Sequence, residues 1–224
     1  IRGFATNRVL LVIDGVRMNN AIYRSGNLQN VISIDALSTE TAEVIFGPGS
    51  LIYGSDAIGG VMDFHTLDAR FSNDSSADKK TMVKGSVFGR YSTANIENTI
   101  HADINLGWKK WSLLSSLSYS KFDDLKMGKN GGQDSYLRPE YVERINNKDS
   151  IVKNSDPRIQ RFSGYEQLNF LQKIRFKPNE HWDLQYSFTH AKTGDAPRYD
   201  RLIQYRNGAL RFAEWYYGPM LWNM

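Results

Sequence analysis

Apolar and polar side chains alternate over unusually long stretches in the second part of the chain. From residue 96 to residue 108 every second side chain is apolar except Asn98, and the intervening side chains are mostly polar or charged. Residues 111–119 and 182–189 alternate in the same way. Because successive side chains of a β-strand point to opposite faces, this pattern predicts strands with one apolar and one polar face.

The predicted strands are long enough to cross a lipid bilayer. A strand of about 11 to 13 residues rises roughly 37–44 Å, and a tilt of about 45° reduces its span to roughly 26–31 Å, close to the hydrocarbon thickness of a membrane. Strands of water-soluble proteins usually have about 5–6 residues. Trp108, Trp111 and Trp182 lie where strands meet short turns, as interfacial aromatic residues do. The pattern therefore predicts antiparallel strands of a transmembrane β-barrel.

The predicted connections between these strands are short on one side and long on the other. Residues 107–111 and 177–181 form tight turns, whereas about forty residues separate Phe122 from Phe162. Outer-membrane barrels have their long loops outside, so we predict external loops at about 123–161 and 190–215. Only about five or six strands fit before Met224, and a closed barrel needs at least about eight. We therefore expect the chain to be one piece of a longer protein.

Composition argues against several other classes of protein. The longest apolar run, residues 9–13, is far shorter than the roughly 18 residues of a transmembrane helix. The 224 residues include no cysteine and only four scattered histidines, so we expect no metal site and no cofactor. We expect His101 and His190 to face the barrel interior. The net charge of +4 comes without a dense basic patch, so nucleic acid is not an expected partner.

No arrangement of side chains in the sequence predicts catalysis. Ser50 follows a glycine-containing stretch but lacks the second glycine of a nucleophile elbow. The glycine-rich stretches also lack the lysine of a phosphate-binding loop. We therefore expect a protein that is not an enzyme.

A glycine-rich block separates two short apolar stretches in the first third of the chain. Residues 44–46 and 61–64 predict strands, and five glycines lie from position 47 to position 60. Glycine at that density allows positive φ angles and close backbone contacts, so the block predicts a tightly folded segment. Upstream, residues 9–13 predict a buried strand that ends in an Asp14-Gly15 turn.

These blocks resemble the plug domain of TonB-dependent outer-membrane receptors, and they follow the family's order and spacing over roughly the first 66 residues. The blocks that carry the resemblance are Ile1-Arg2-Gly3, residues 9–15, residues 43–53 and residues 57–61. Phe46, where an arginine is usual, and Asp63-Phe64-His65 depart from the family pattern.

The resemblance implies a mainly β fold with a small α+β plug domain and part of a transmembrane β-barrel. The C-terminal part of the plug would occupy residues 1–66, a linker residues 67–80, and the first strands of a barrel of about 22 strands residues 81–224. Two other classes of protein are the alternatives. Passive outer-membrane porins or adhesins share the strand pattern, but they lack the glycine block. A soluble carbohydrate-binding β-sandwich would have shorter strands.

The function implied by the resemblance is active import of a scarce nutrient across the outer membrane. A ferric siderophore or haem is the leading substrate class, followed by cobalamin and oligosaccharides. A TonB-type periplasmic protein would supply the energy, and we expect its contact motif to lie outside this chain. Outer-membrane lipid, the nutrient ligand and a surface lipoprotein are the other candidate partners.

The resemblance also places candidate substrate contacts on the plug apex and on an external loop. Arginine pairs with carboxylates and phosphates, and tyrosine stacks and donates hydrogen bonds, so both suit such a site. The apex candidates are Arg17, Asn19, Asn20, Tyr23, Arg24 and Asn27, and the loop candidates are Arg198, Tyr199 and Arg201. Hydrogen bonding between plug and barrel wall is the alternative role of the apex residues.

Other plug residues are expected to have structural roles. The structural motif comprises Glu43, Gly47, Pro48, Gly49, Tyr53, Gly54, Gly59 and Gly60. The resemblance further implies that buried plug charges pair with the barrel wall and hold the plug in place. The candidates for such pairs are Arg2, Arg8, Asp14, Glu43 and Asp56.

Overall fold

The computed structural model describes residues 9–18, 31, 33–72, 81–130 and 136–224, with the side chain of Asp56 excepted. The long-range architecture consists of a four-stranded sheet and a six-stranded sheet, with smaller hairpins between the long strands. Among the residues described, no helix is long and apolar enough to cross a membrane.

The four-stranded sheet and its connections form what we call the N-terminal unit, the described part of residues 9–66. Its strands are β1 (Val9–Ile13), β2 (Val16–Arg17), β3 (Thr39–Ile45) and β4 (Gly60–Thr66), in the order β2-β1-β4-β3. β1 is parallel to β4, and the other pairs are antiparallel. Every residue of β1 is buried, because one face packs on Ala57 and Val61 and the other on Met18.

The glycine block folds into two short 3-10 helices, Gly47–Tyr53 and Ser55–Ala57, which connect β3 to β4. Gly60 has a φ of 123°, and a Cβ there would lie 2.9 Å from the carbonyl oxygen of Ile45. Only glycine fits such a position without displacing the neighbouring backbone.

The rest of the chain consists of long strands that alternate in direction. Two of the connections between them are long, and we call these the first and the second excursion. The first long strands are β5 (Met82–Ser92), β6 (Glu97–Gly107) and β7 (Trp111–Phe122). The first excursion contains β8 (Leu125–Lys126), β9 (Glu140–Ile145), β10 (Lys148–Lys153) and β11 (Ile159–Gln160). The chain returns in β12 (Tyr165–Asn179) and β13 (Trp182–Thr193). The second excursion contains β14 (Ala196–Pro197), the one-turn helix α1 (Tyr199–Leu202), β15 (Tyr205–Arg206), β16 (Ala209–Leu210) and β17 (Tyr216–Tyr217), and β18 (Met220–Asn223) follows it.

Six of these strands form one antiparallel sheet, which we call the wall, in the order β5-β6-β7-β12-β13-β18. Strand β6 begins at Glu97 rather than at Ile96, because Ile96 lies in the β5–β6 turn with a left-handed φ of 46°. That turn is short, although it lies at the same end of the wall as the two excursions.

The two faces of the wall have an inverted pattern of burial. Polar side chains such as Thr99, Asn105 and Ser116 are buried against the N-terminal unit and the segment that follows it, whereas Ile100 and Leu117 are exposed on the opposite face. A water-soluble sheet would bury its apolar face instead. The alternation predicted from the sequence is therefore confirmed, and its polar face is the inner one.

The two histidines that were expected to face inward lie on different faces. His101 belongs to the buried polar face of β6. His190 pairs with Phe170 of β12 and contacts the outward-facing Asn223, so the expectation for His190 was wrong. The period of two in β13 puts its even-numbered residues outside.

We predict that the exposed apolar face of the wall lies in lipid. Leu117→Arg, in the middle of β7, should lower the free energy of unfolding by about 2–4 kcal/mol, because a charge near the bilayer centre loses its hydration. The measurement is urea unfolding of the full-length protein in lipid vesicles.

The matched control is Ile145→Arg in the β9–β10 hairpin. Ile145 is 45% exposed and Leu117 is 49% exposed, so the two sites differ in location rather than in accessibility. The control should change the unfolding free energy by less than about 0.5 kcal/mol. Equal effects of the two substitutions would show that β7 faces water.

Candidate functional site

A fully buried lysine joins the wall to the N-terminal unit. Lys173 of β12 is 1% exposed, and its Nζ lies 3.1 Å from Asp14 Oδ2. The same ammonium lies 3.3 Å from the Thr66 carbonyl oxygen and 3.5 Å from Asp68 Oδ1. Lysine is almost never fully buried unless its charge is paired. This cluster, the lower bridge, therefore fixes the position of the N-terminal unit against β12.

The turn that carries Asp14 is itself held in place by hydrogen bonds. The backbone N–H of Thr66 donates to Asp14 Oδ1 at 2.9 Å, and the Thr66 hydroxyl donates to Oδ2 at 2.6 Å. Asp14 and Gly15 both have positive φ angles, 46° and 80°, which suits a tight hairpin turn. The carboxylate is thus presented to Lys173 in a defined orientation.

The residues that follow β4 lie against the inner face of the wall. Ala69 is buried with Leu114 and Leu171, and the backbone of Arg70 exchanges two hydrogen bonds with the Asn105 side chain at 2.9 and 3.0 Å. The Ser112 hydroxyl also donates to the Arg70 carbonyl at 2.7 Å. The first residues of the predicted linker therefore pack on the wall, and residues 73–80 lie outside the described residues.

A second polar connection, the upper bridge, lies nearer to the end of the wall that carries the two excursions. The Ser118 hydroxyl of β7 donates to Asp35 Oδ2 at 2.6 Å, and the Asn169 amide of β12 donates to the Ser33 carbonyl at 2.9 Å. Ser118 pairs with Asn169 in the β7–β12 ladder. Lys173 lies four residues further along β12, so the two bridges hold the N-terminal unit at two heights.

The two excursions pack against each other at one end of the wall. The Tyr205 hydroxyl of the second excursion donates to Glu140 of the first at 3.1 Å. A cavity of about 110 Å³ lies between them, and arginine and aromatic side chains dominate its lining, including Arg138, Tyr141, Arg161, Tyr199, Tyr205 and Phe212. Burial raises the pKa of Tyr199.

The arginines predicted to bind substrate in the second excursion already have partners within it. Arg198 donates two hydrogen bonds to Asp200 at 3.1 and 2.7 Å and lies over the ring of Tyr217. These bonds lower the pKa of Asp200. Arg201 lies 5.8 Å from the ring centroid of Trp215. Both guanidinium groups therefore contribute to the order of the loop itself, and substrate binding by them stays a prediction.

The fold is similar to that of a solved ferric enterobactin receptor and a solved iron transporter. The ferric enterobactin receptor of Pseudomonas aeruginosa superposes with a TM-score of 0.55 at 17% identity, covering 87% of this chain and 26% of the receptor. The FrpB iron transporter of Neisseria meningitidis gives 0.55 at 20% identity, covering 86% and 25%. The model of the TonB-dependent receptor plug domain matches residues 1–61.

Residues 1–61 belong to the family of TonB-dependent receptor plug domains. The N-terminal unit is therefore called the plug, and the wall has the fold of the barrel strands of the solved receptors. The protein is an outer-membrane protein of the Gram-negative type.

Curated relatives match about a third of this chain. The vitamin B12 transporter BtuB of Vibrio vulnificus is 45% identical over 75 residues, which are 34% of this chain and 12% of that protein. The hemin receptor of Yersinia enterocolitica is 35% identical over 69 residues, which are 31% and 10%. The chain thus spans about a tenth of the length of the curated relatives that it matches.

Most predicted contacts on the plug apex fall outside the described residues. They are Asn19, Asn20, Tyr23, Arg24 and Asn27. Arg17, the remaining candidate, is exposed on β2, and its guanidinium lies beside Gly54. Its role in binding stays a prediction.

The glycine-block residues of the receptor pack within the plug. Tyr53 packs against the core formed by Leu10 and Val12, and its hydroxyl donates to Asp63 at 3.2 Å. Burial is the first cause of the raised pKa of Tyr53. Glu43 lies opposite Asp63 in the register of β3 and β4, and Glu43 is exposed. Gly47 and Gly54 adopt positive φ angles, which their turns require.

Sequence reasoning missed the wall residues of both bridges, Ser118, Asn169 and Lys173. The available signal was the position of Lys173. It is separated from Gln167 and Asn169 by even numbers of residues, so the three polar side chains share one face of a strand that is otherwise rich in apolar residues. Asp14, by contrast, was among the plug charges expected to pair with the wall.

We predict that Lys173→Met lowers the free energy of unfolding of the full-length protein by about 3–5 kcal/mol, because it leaves the partly buried Asp14 carboxylate without its cation. Adding Asp14→Asn should recover part of this loss, since the unpaired charge is then removed. Urea unfolding in detergent or lipid measures both effects.

Lys177→Met is the matched control, because Lys177 lies on the same strand and is exposed. It should change the unfolding free energy by less than about 0.5 kcal/mol. If Lys173→Met is no more damaging than this control, the lower bridge does not stabilise the plug.

Proposed function

We propose that the full-length receptor binds a scarce nutrient at the cell surface and imports it with energy from a TonB-type periplasmic protein. The observation that supports this proposal best is the polar character of the contact between plug and wall. Hydrogen bonds and ion pairs at the lower and upper bridges hold the described part of the plug against the wall. Such partners can be replaced by water when the plug moves, at a modest net cost for each neutral bond.

The proposed substrate is a large metal chelate. Relatives and structural neighbours are named for hemin, vitamin B12 and ferric enterobactin, all of which hold a metal ion in an organic ligand. We propose a ferric siderophore or haem first and cobalamin second.

The proposed role is transport rather than catalysis. The named relatives are transporters and receptors. A passive porin is less well supported, because the plug packs against the inner face of the wall, where a porin has its aqueous channel.

A ligand panel tests the proposed substrate class. The full-length receptor in detergent would be titrated with ferric siderophores, haemin, cobalamin and oligosaccharides. We expect one class to bind tightly, and Tyr23→Ala and Arg24→Ala to weaken that ligand tenfold or more, about 1.4 kcal/mol each. Arg206→Ala, an exposed external arginine outside the candidate set, is the control.

Uptake by intact cells tests the energy requirement. Import of the bound ligand should stop when the coupling protein is deleted, whereas a passive channel would continue to transport it. Tight binding that is indifferent to Tyr23→Ala and Arg24→Ala would move the site to the external loops. Ligand uptake that persists without the coupling protein would refute the proposed mechanism.

A further inference from the structure

Three lysines line a cavity at the end of the wall opposite the two excursions. Lys109 and Lys110 lie in the β6–β7 turn, and Lys177 lies near the end of β12. The backbone N–H of Lys177 donates to the Lys110 carbonyl at 2.8 Å, which holds the two short turns side by side. The cavity has a volume of about 320 Å³, a size that small-molecule sites have, and we call it the lysine cavity.

The lysine cavity has an excess of positive charge. Its other lining residues are Phe71, Pro178, Asn179 and Glu180. One acidic residue therefore accompanies three lysines. Among the residues that the structure describes, the lysines in ion pairs are Lys126 and Lys173, which lie elsewhere. Arg175 and Asp183, the nearest charged pair on β12 and β13, neutralise each other through hydrogen bonds of 2.7 and 2.6 Å. Two positive charges are thus left for a ligand to balance.

Aromatic side chains beside the lysine cavity mark the level of the membrane surface. Trp111 stacks on Phe176, with ring centroids 4.1 Å apart, and Trp182 is 61% exposed at the start of β13. Trp111 lies on the same outward face as Leu117, because an even number of positions separates them on β7. Tryptophan is enriched at the headgroup level of a bilayer. The lysine cavity therefore lies at the level of the headgroups of one leaflet.

The segment that follows the plug fixes the inner side of the cavity. Phe71 is 8% exposed, and the Arg175 guanidinium lies 5.2 Å from its ring centroid. The backbone N–H of Ser72 donates to the Trp108 carbonyl in the β6–β7 turn at 3.3 Å. The backbone around the cavity is thus held by contacts of its own. A ligand has to order little more than the lysine side chains, which lowers the entropic cost of binding.

A phospholipid headgroup matches both the charge and the position of the cavity. Lys110 precedes Trp111 in the sequence and Lys177 follows Phe176, so the ammonium groups and the aromatic rings lie at one level of the wall. The long stem of lysine carries its ammonium group to the headgroup region, where it binds phosphate as a point charge. A lipid with net negative charge balances the excess, whereas a zwitterionic lipid brings a cation of its own. The charge therefore favours an anionic lipid.

We propose that the lysine cavity binds the headgroup of an anionic phospholipid from the membrane leaflet at this end of the wall. The lipid phosphate lies among the three ammonium groups, and the acyl chains follow the outward face past Trp111 and Phe176. The lipid thereby joins the β6–β7 turn to the β12–β13 turn. This inference goes beyond the proposed function and does not depend on the import of a nutrient.

Native mass spectrometry of the full-length protein in detergent tests this inference. The protein is titrated with phosphatidylglycerol, which is anionic, and with phosphatidylcholine, which is zwitterionic and has the same acyl chains. We expect phosphatidylglycerol to bind at least about tenfold more tightly, since each lysine near an anionic lipid surface contributes about fivefold in affinity. Replacement of all three lysines, as Lys109→Gln, Lys110→Gln and Lys177→Gln together, should abolish this preference.

The matched control replaces three exposed lysines of the first excursion, as Lys129→Gln, Lys148→Gln and Lys153→Gln together. It changes the net charge of the protein by the same amount at the other end of the wall, so it should retain the preference. Equal affinity of the wild-type protein for the two lipids would overturn the inference. A preference that survives in the cavity variant would overturn it too, and so would an equal loss in both triple variants, which would show a general effect of net charge.

Inorganic phosphate separates the two sources of a phosphate group. Added at the same concentration as the lipid, it should not displace phosphatidylglycerol, because the outward aromatic rings contribute only to lipid binding. Displacement would overturn the lipid as the occupant of the cavity. The wild-type titrations decide even if the cavity variant does not fold, and they are unaffected if no nutrient ligand binds.

Discussion

The ion pair between Lys173 and Asp14 is the contact on which the arrangement of this receptor segment depends most. An ammonium group without water needs a carboxylate at close range, and the nearest one belongs to the plug rather than to the wall. The plug turn that carries Asp14 is fixed in turn by Thr66, at the end of β4. The central strands of the plug and the strand β12 of the wall are thereby placed relative to each other by one buried charge.

The bilayer explains why the wall needs such contacts at all. Its outward face must be apolar, so the polar half of each alternating strand is directed inward. The plug and the segment after it cover those polar side chains and supply hydrogen-bond partners such as Asp35 and the Arg70 backbone. The hydrogen bonds of this buried polar surface hold the plug in one orientation, and water can replace their partners. These two properties suit the proposed import function, in which the plug would have to stay closed and also move.

The charged side chains of the two excursions, unlike those of the plug interface, make most of their described contacts within the excursions. Their arginines stack on tyrosine and tryptophan rings and pair with nearby aspartates, so much of their charge serves local order. Such a surface presents aromatic faces and directed N–H donors together, and those groups recognise planar or anionic ligands. The upper bridge lies between these excursions and the lower bridge.

The sequence by itself determined the long strands, the inward direction of their polar faces and the tight glycine-rich fold of the plug. These features follow from local rules: the period of two along β6 and β7, the Asp14-Gly15 turn, and glycine where a Cβ would collide, as at Gly60. The tertiary structure alone decided that Asp14 pairs with Lys173 and that Ser118 donates to Asp35. Those partners lie far apart in the chain, and strand register and the docking of the plug bring them together. A one-residue change of register in β12 would turn Lys173 outward, so no local pattern could have specified the pair.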